Sequence, residues 1–179
     1  MTKEITYTPD IQKQIERAIV FLVDKIEEHC YNEKPLILHN LRVGLKLMEL
    51  KQEREVVIAG FLHDLLEDTD CDSEEIEKEF GERVARIVLA CTFDENIKDY
   101  KERWRKLVSN IKQAGHDAII VKLVDQMANL PYYMLISNKQ KRQEVIWKHR
   151  FFIDECQNNL KGLKIFHDYK KMVIKNYEK

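Results

Sequence analysis

The stretch Phe61-Leu62-His63-Asp64-Leu65-Leu66-Glu67-Asp68-Thr69 sets an imidazole and three carboxylates inside or beside a run of apolar residues. Helical spacing puts His63 and Glu67 on one face, and Asp64 and Asp68 on the adjoining one. Charges on an apolar helix need partners, and a metal ion is an efficient one. Upstream, Val56, Val57, Ala59, Phe61 and Leu62 keep the same period. The spacing therefore predicts one helix from near Glu53 to about Glu67.

The pattern continues on both sides. Pro9-Asp10 opens a helix that carries Ile11, Ile15, Ala18, Ile19, Leu22, Val23 and Ile26. Tyr31-Asn32-Glu33-Lys34-Pro35 reads as a loop, and a second helix starts near Leu38 and carries Leu41, Val43, Leu45, Leu47 and Met48. Beyond the polar turn at Asp70-Cys71, Asp72 or Ser73 can cap a short helix that ends near Phe80-Gly81. Another helix runs through Val84, Ile87, Val88 and Cys91, and Tyr100 to Gln113 is helical and charged. Gly115 is a stop, and Asp117 is a plausible cap for a helix from Ala118 to about Leu130. Its β-branched run Ala118-Ile119-Ile120-Val121 is the weakest helical stretch, and Pro131 is expected to break or kink the end. Asn138 to about Gln157 and Leu163 to Tyr177 complete the series. The fold class expected is all-α, a single-domain helical bundle over 1–179.

Composition agrees. Gly is 5 and Pro is 3 of 179 residues, against a usual combined share of about 12%. So few breakers argue against a β-sandwich or barrel. Hydrophobic residues are 44%, enough for a core, and the net charge of -1 leaves no global basic footprint, so no nucleic-acid partner is expected. No apolar run is long enough to span a membrane, and MTKEITYTPDIQKQ lacks the apolar core of a secretory signal. A cytoplasmic setting is expected, with Cys30, Cys71, Cys91 and Cys156 as free thiols in no CxxC pair.

His-Asp occurs three times, so context has to choose among them. His116-Asp117 follows a glycine at a helix start, and His167-Asp168 lies in a charged terminal helix. Only His63-Asp64 lies in an apolar helix with a second acidic pair one turn on. Two further polar residues sit in apolar surroundings: His39 in Leu36-Ile37-Leu38-His39, and Asp125 in Leu123-Val124-Asp125, with Asn129 one turn later. Either alone reads as a satisfied buried residue. Together, in this order, they make a mixed nitrogen and oxygen ligand set. His29, His149 and His167 lack suitable neighbours in sequence.

The order of His39, then His63-Asp64-Leu65-Leu66-Glu67-Asp68, then Lys122-Leu123-Val124-Asp125 with Asn129, resembles the HD-domain phosphohydrolases. It is most similar to the hydrolase domain of the RelA/SpoT family and to the small stand-alone alarmone hydrolases. Ser73-Glu74-Glu75-Ile76 to Ala85 is similar to that family's segment after its HDxxED motif, and the likeness spans roughly residues 10 to 135. The resemblance implies an HD-type helical bundle with one divalent metal ion, expected to be Mn²⁺, held by His39, His63, Asp64 and Asp125. Glu67 and Asp68 would orient and deprotonate the attacking water, with a purely supporting role for one of them as the alternative. Lys122 and Asn129 would contact the substrate, a phosphorylated nucleotide.

The implied activity is removal of the 3′-pyrophosphate of guanosine tetra- or pentaphosphate. Two departures leave another HD-type nucleotidase open, with a non-catalytic nucleotide-binding module behind it. The family's basic, Gly-containing segment is replaced by Cys30-Tyr31-Asn32-Glu33-Lys34-Pro35, and Gln126 and Ala128 stand where Arg and His are usual. Arg42, Lys98, Lys101 and Arg105 are further phosphate-binding candidates, and Tyr132-Tyr133 either stack a base or pack in the core. The helices in 139–179 lie outside the motifs. Their Val145, Ile146, Phe151, Phe152 and Ile153 either join the core or form a contact between copies.

Overall fold

A computed structural model describes residues 6–31, 34–133 and 135–177. Asn32 and Glu33 of the expected loop lie outside the described residues. All regular structure among the described residues is α-helical. The chain divides into two compact units, Met1–Thr92 and Phe93–Lys179.

The first unit holds α1 (Pro9–Glu28), α2 (Leu36–Glu49), α3 (Arg54–Leu62), α4 (Leu65–Asp68), α5 (Ser73–Phe80) and α6 (Glu82–Cys91). Pro9 sits at the start of α1, where its missing N–H costs nothing, and Thr8 caps the helix by accepting from Ile11 N. Asp72 and Glu75 form a reciprocal capping box on α5, so the cap expected at Asp72 is the one used.

Two glycines bring α2 and α3 together. A Cβ on Gly44 would overlap the ring of Phe61, and one on Gly60 would overlap Leu47 and lie 3.5 Å from Gly44 Cα. Phe61 and Leu47 are both fully buried. The two helices therefore pack with little between their backbones, which is what places His39 of α2 beside the residue that follows α3.

The helix expected through Glu67 is interrupted. α3 ends at Leu62, and Asp64 has φ -98 and ψ -5 before α4 begins at Leu65. This is the sparsely populated region where many active-site residues sit. The interruption shifts Asp64 relative to the helical line that the sequence pattern assumes.

The second unit holds α7 (Tyr100–Ala114), α8 (His116–Tyr133), α9 (Lys139–Leu160) and α10 (Lys164–Tyr177). Asp99 caps α7 and Asn138 caps α9. Gly115, at φ 102, separates α7 from α8 and starts α8 one residue before Asp117, so Asp117 lies in the first turn and is not the cap. Ala118, Ile119, Ile120 and Val121 are all buried helix. Burial on all sides outweighs the modest helix cost of β-branching. Pro131 is accommodated inside α8, whose last residue is Tyr133, so the helix stops within two residues of the expected break. The cysteines are free, as expected, and Cys71, Cys91 and Cys156 are buried. Burial pushes the thiols of Cys71 and Cys156 up to about 12, so neither serves as a nucleophile at neutral pH.

Candidate metal centre

In the first unit, His39, His63 and Asp64 converge. All three are at most 5% exposed. His63 Nε2 lies 3.3 Å from His39 Nε2 and 3.1 Å from Asp64 Oδ1, and His39 Nε2 lies 3.4 Å from Asp64 Oδ2. His63 Nδ1 lies 2.9 Å from the Gly60 carbonyl. A carbonyl only accepts, so Nδ1 carries the proton and the lone pair of neutral His63 is on Nε2, turned toward the carboxylate. His39 Nε2 faces the same two groups: as an N–H it donates to one of them, and as a lone pair it completes a three-donor set for a cation. Ligands about 2.0–2.2 Å from one ion lie roughly 2.8–3.6 Å apart at octahedral or tetrahedral angles. The observed separations match that range. The donor set and its support from a backbone carbonyl fit a divalent cation.

Glu67 and Asp68 follow on α4, half-buried. Their N–H groups both donate to the Asp64 carbonyl, at 3.1 and 3.0 Å, which ties the acidic pair to the ligand segment. The loop before α2 is fastened to the same place. Tyr31 N donates to the Asp68 carbonyl at 2.9 Å, the Tyr31 hydroxyl donates to Asp70, and His29 Nδ1 lies 3.2 Å from Asp70 Oδ2. The Asp70 carboxylate accepting that proton holds the Tyr31 phenol above its ordinary value. Lys34 brings its ammonium to 3.6 Å from Asp64 Oδ2. The sequence reading marked this loop but not Lys34 as a member of the site. A lysine five residues before the first histidine was the available signal.

In the second unit, α8 assembles Lys122, Asp125 and Asn129. Asp125 is 3% exposed. Its Oδ1 accepts from Asn129 Nδ2 at 2.5 Å; its Oδ2 accepts from Gln126 Nε2 at 3.1 Å and faces Lys122 Nζ at 3.0 Å. Lys122 is buried rather than a surface lysine, and Asn129 orients the carboxylate from one turn away. The other cations singled out are ordinary surface groups by exposure: Arg42, Lys98, Lys101 and Arg105 are all exposed. Lys101 and Arg105 lie over the Trp147 ring.

Two buried residues were passed over. His149 is fully buried, with Nδ1 hydrogen-bonded to Tyr169 Oη at 2.6 Å. Burial pulls its pKa down to about 2, assisted by the charge of Lys148 and opposed by that of Asp125. Lys148 is 2% exposed and donates to Tyr133 Oη at 2.6 Å. The signal for both was their place on the apolar stripe of α9 with Val145, Phe152 and Cys156.

Residues 18–149 match the HD domain family, and the chain belongs to it. Membership implies a divalent metal ion. The guanosine-3′,5′-bis(diphosphate) 3′-pyrophosphohydrolase of Aquifex aeolicus is 36% identical over 149 residues, covering 81% of this chain and 21% of the relative. The pyrophosphohydrolase MESH1 of Danio rerio is 45% identical over 76 residues, 42% of each chain. The chain thus spans well under two thirds of the length of these relatives. Among solved structures, one described as a metazoan ortholog of SpoT that hydrolyses ppGpp superposes with a TM-score of 0.71 at 22% identity, covering 90% of this chain and 94% of that one. The lmo0812 protein of Listeria monocytogenes superposes with a TM-score of 0.68 at 25% identity, covering 79% and 99%. The expected HD-type all-α fold is borne out.

Proposed function

We propose that the protein is a metal-dependent phosphohydrolase that removes the 3′-pyrophosphate of guanosine tetra- or pentaphosphate. The observation that carries this reading is the convergence of His39, His63 and Asp64 at ligand spacing, with Nδ1 of His63 committed to a backbone carbonyl. The names of the curated relatives supply the substrate class. We read 1–179 as one HD-type domain, because the family match runs from 18 to 149, with the helices of 139–179 as its C-terminal part. The setting is read as cytoplasmic.

His39, His63, Asp64 and Asp125 would hold one divalent ion, which we read as Mn²⁺, a cation suited to mixed imidazole and carboxylate donors. When bound, such an ion acidifies a water and polarises a phosphate oxygen. The remaining work falls to side chains of this chain. Glu67 and Asp68 orient the water and take its proton. The water oxygen bonds to the phosphorus attached to the ribose 3′-oxygen, and that phosphorus–oxygen bond breaks. The 3′-oxygen gains a proton, and pyrophosphate departs. Lys122 keeps Asp125 in place and supplies positive charge to the departing group. Asn129 fixes the Asp125 carboxylate and presents its carbonyl oxygen to the nucleotide.

The test is incubation of the purified protein with ppGpp and Mn²⁺, beside Asp64→Ala, with the products resolved. GDP and pyrophosphate from the wild type alone support the reading. A nucleotidase is the second reading, favoured by Gln126 and Ala128 at positions where the resemblance leads one to expect Arg and His. It predicts orthophosphate released from a nucleoside monophosphate and no turnover of ppGpp.

A further inference from the structure

α9 carries apolar side chains on two opposite sides. Val145, Phe152, Cys156 and Leu160 are buried in the core. Ile146, Trp147 and Phe151 lie on the other side and are only half-buried. Val145 and Phe152 thus join the core, whereas Ile146 and Phe151 stay at the surface. A cleft of about 310 Å³ runs along this outer side, lined by Gln143, Ile146, Trp147, Arg150, Phe151 and Asp154. All six belong to α9 at the spacing of one helix face, so no other described element lines the cleft.

The centre of the stripe is held ready. The Trp147 and Phe151 rings stack with centroids 5.0 Å apart and 9° between planes, and α7 sets Lys101 and Arg105 at 5.3 and 5.6 Å from the Trp147 centroid. An aromatic already fixed loses little freedom on binding, and Trp and Arg carry much of the energy where proteins meet. The order of side chains names the partner. A second α9, turned antiparallel about a two-fold axis midway between Lys148 and His149, brings Ile146 opposite Phe151, Trp147 opposite Arg150 and Gln143 opposite Asp154. The symmetry makes each pairing twice. Apolar meets apolar, a guanidinium meets the aromatic pair, and an amide donor meets a carboxylate. The stripe carries one cation and one anion, so two copies meet without net repulsion. Moving the axis to Arg150 would instead set two guanidiniums face to face.

We propose that this stripe is where two copies of the chain pair, α9 against α9, antiparallel about that axis. None of its six residues belongs to the metal centre, so the pairing stands apart from the reading of the reaction.

The experiment is sedimentation velocity on the full chain from roughly 1 to 100 μM, the range in which a modest interface associates. The wild type should pass from monomer to dimer, and Arg150→Glu should weaken that association at least about tenfold. Cross-linking reads the register, and decides the matter if Arg150→Glu does not fold. Gln143→Cys and Asp154→Cys are each made in a Cys30→Ser background, which removes the exposed native thiol. The two variants are then oxidised separately and as a mixture. The mixture should give a covalent dimer with one chain of each kind, identified by mass. Either variant alone should give none, because like positions lie about 16 Å apart along the paired helices, beyond the reach of a disulfide. A chain that stays monomeric throughout overturns the proposal and leaves the stripe to a different protein. A dimer that Arg150→Glu leaves unchanged, a mixture that forms no cross-link, or a single variant that cross-links as readily as the mixture also overturns it.

Discussion

Gly44→Ala tests whether the close contact between α2 and α3 sets the metal centre. The added methyl would lie closer than 3.0 Å to three atoms of the Phe61 ring. Ordinary carbon contact is roughly 3.5–4.0 Å, so something must give by at least about 1 Å. Phe61 is fully buried, so a displaced ring would press on other core atoms, and α2 is expected to move relative to α3. Two terms oppose each other in stability. Replacing glycine inside a helix gains about 1 kcal/mol, whereas overpacking a core costs about 1–3 kcal/mol. With a rigid ring as the obstacle, the cost falls at the upper end and the net loss is about 1–2 kcal/mol. For a chain of this size that lowers Tm by roughly 2–8 °C. The centre suffers more than the fold, because His39 and His63 ride on the two elements being parted and stand 3.3 Å apart. Ligand sets tolerate about 0.5 Å of displacement, so Mn²⁺ affinity should fall at least tenfold. Circular-dichroism melting with and without Mn²⁺, together with calorimetric Mn²⁺ titration, measures both. Gly162→Ala is the control, since a Cβ there meets nothing within 4 Å. If Gly44→Ala melts at or above the wild-type temperature and binds Mn²⁺ equally well, the contact does not position the histidines and the reasoning fails.

Asp125→Asn should keep the hydrogen bond from Asn129 while removing charge, weakening Mn²⁺ binding more than it lowers the Tm of the metal-free protein; equal metal affinity by calorimetry would remove Asp125 from the ligand set. Glu67→Gln and Asp68→Asn should retain the metal, and the one that carries the base should lower kcat by roughly 10²–10⁴ in a product-release assay. Chelation should lower the wild-type Tm but leave that of Asp64→Ala unchanged, a difference that differential scanning calorimetry reads directly. His149 gives the pH prediction. Its folded pKa is depressed to about 2, so the folded protein keeps it neutral while the unfolded chain takes up a proton below about 6.5. Its stability contribution is therefore complete above pH 6.5 and is lost as pH falls, by about 1.4 kcal/mol per unit. His149→Gln should show a shallower fall of Tm between pH 6.5 and 4.5 than the wild type; identical slopes would refute it.

Much of this protein was legible from residue order. Local interactions fix where α1, α5, α7 and α9 begin, because Thr8, Asp72, Asp99 and Asn138 cap the turns that immediately follow them. The polar residues in apolar runs, His39, His63-Asp64 and Asp125, stood out because water leaves nothing nearby to satisfy them once the helix is buried. Other features had no local signature. The break at His63-Asp64 runs against an unbroken apolar period, and α8 stays helical through a β-branched run because every residue of Ala118-Ile119-Ile120-Val121 is enclosed. Lys122 stood out only through the family resemblance, and nothing in the sequence set Lys148 apart from a surface lysine; their burial follows from neighbours elsewhere in the fold, Asp125 and Trp104 for Lys122, and Trp104 and Tyr133 for Lys148. Sequence alone determined the helices and the kinds of ligand, since both follow from spacing and side-chain chemistry. Tertiary structure alone decided which charges are buried and which histidine stays neutral, since desolvation depends on what packs against a group from elsewhere in the chain.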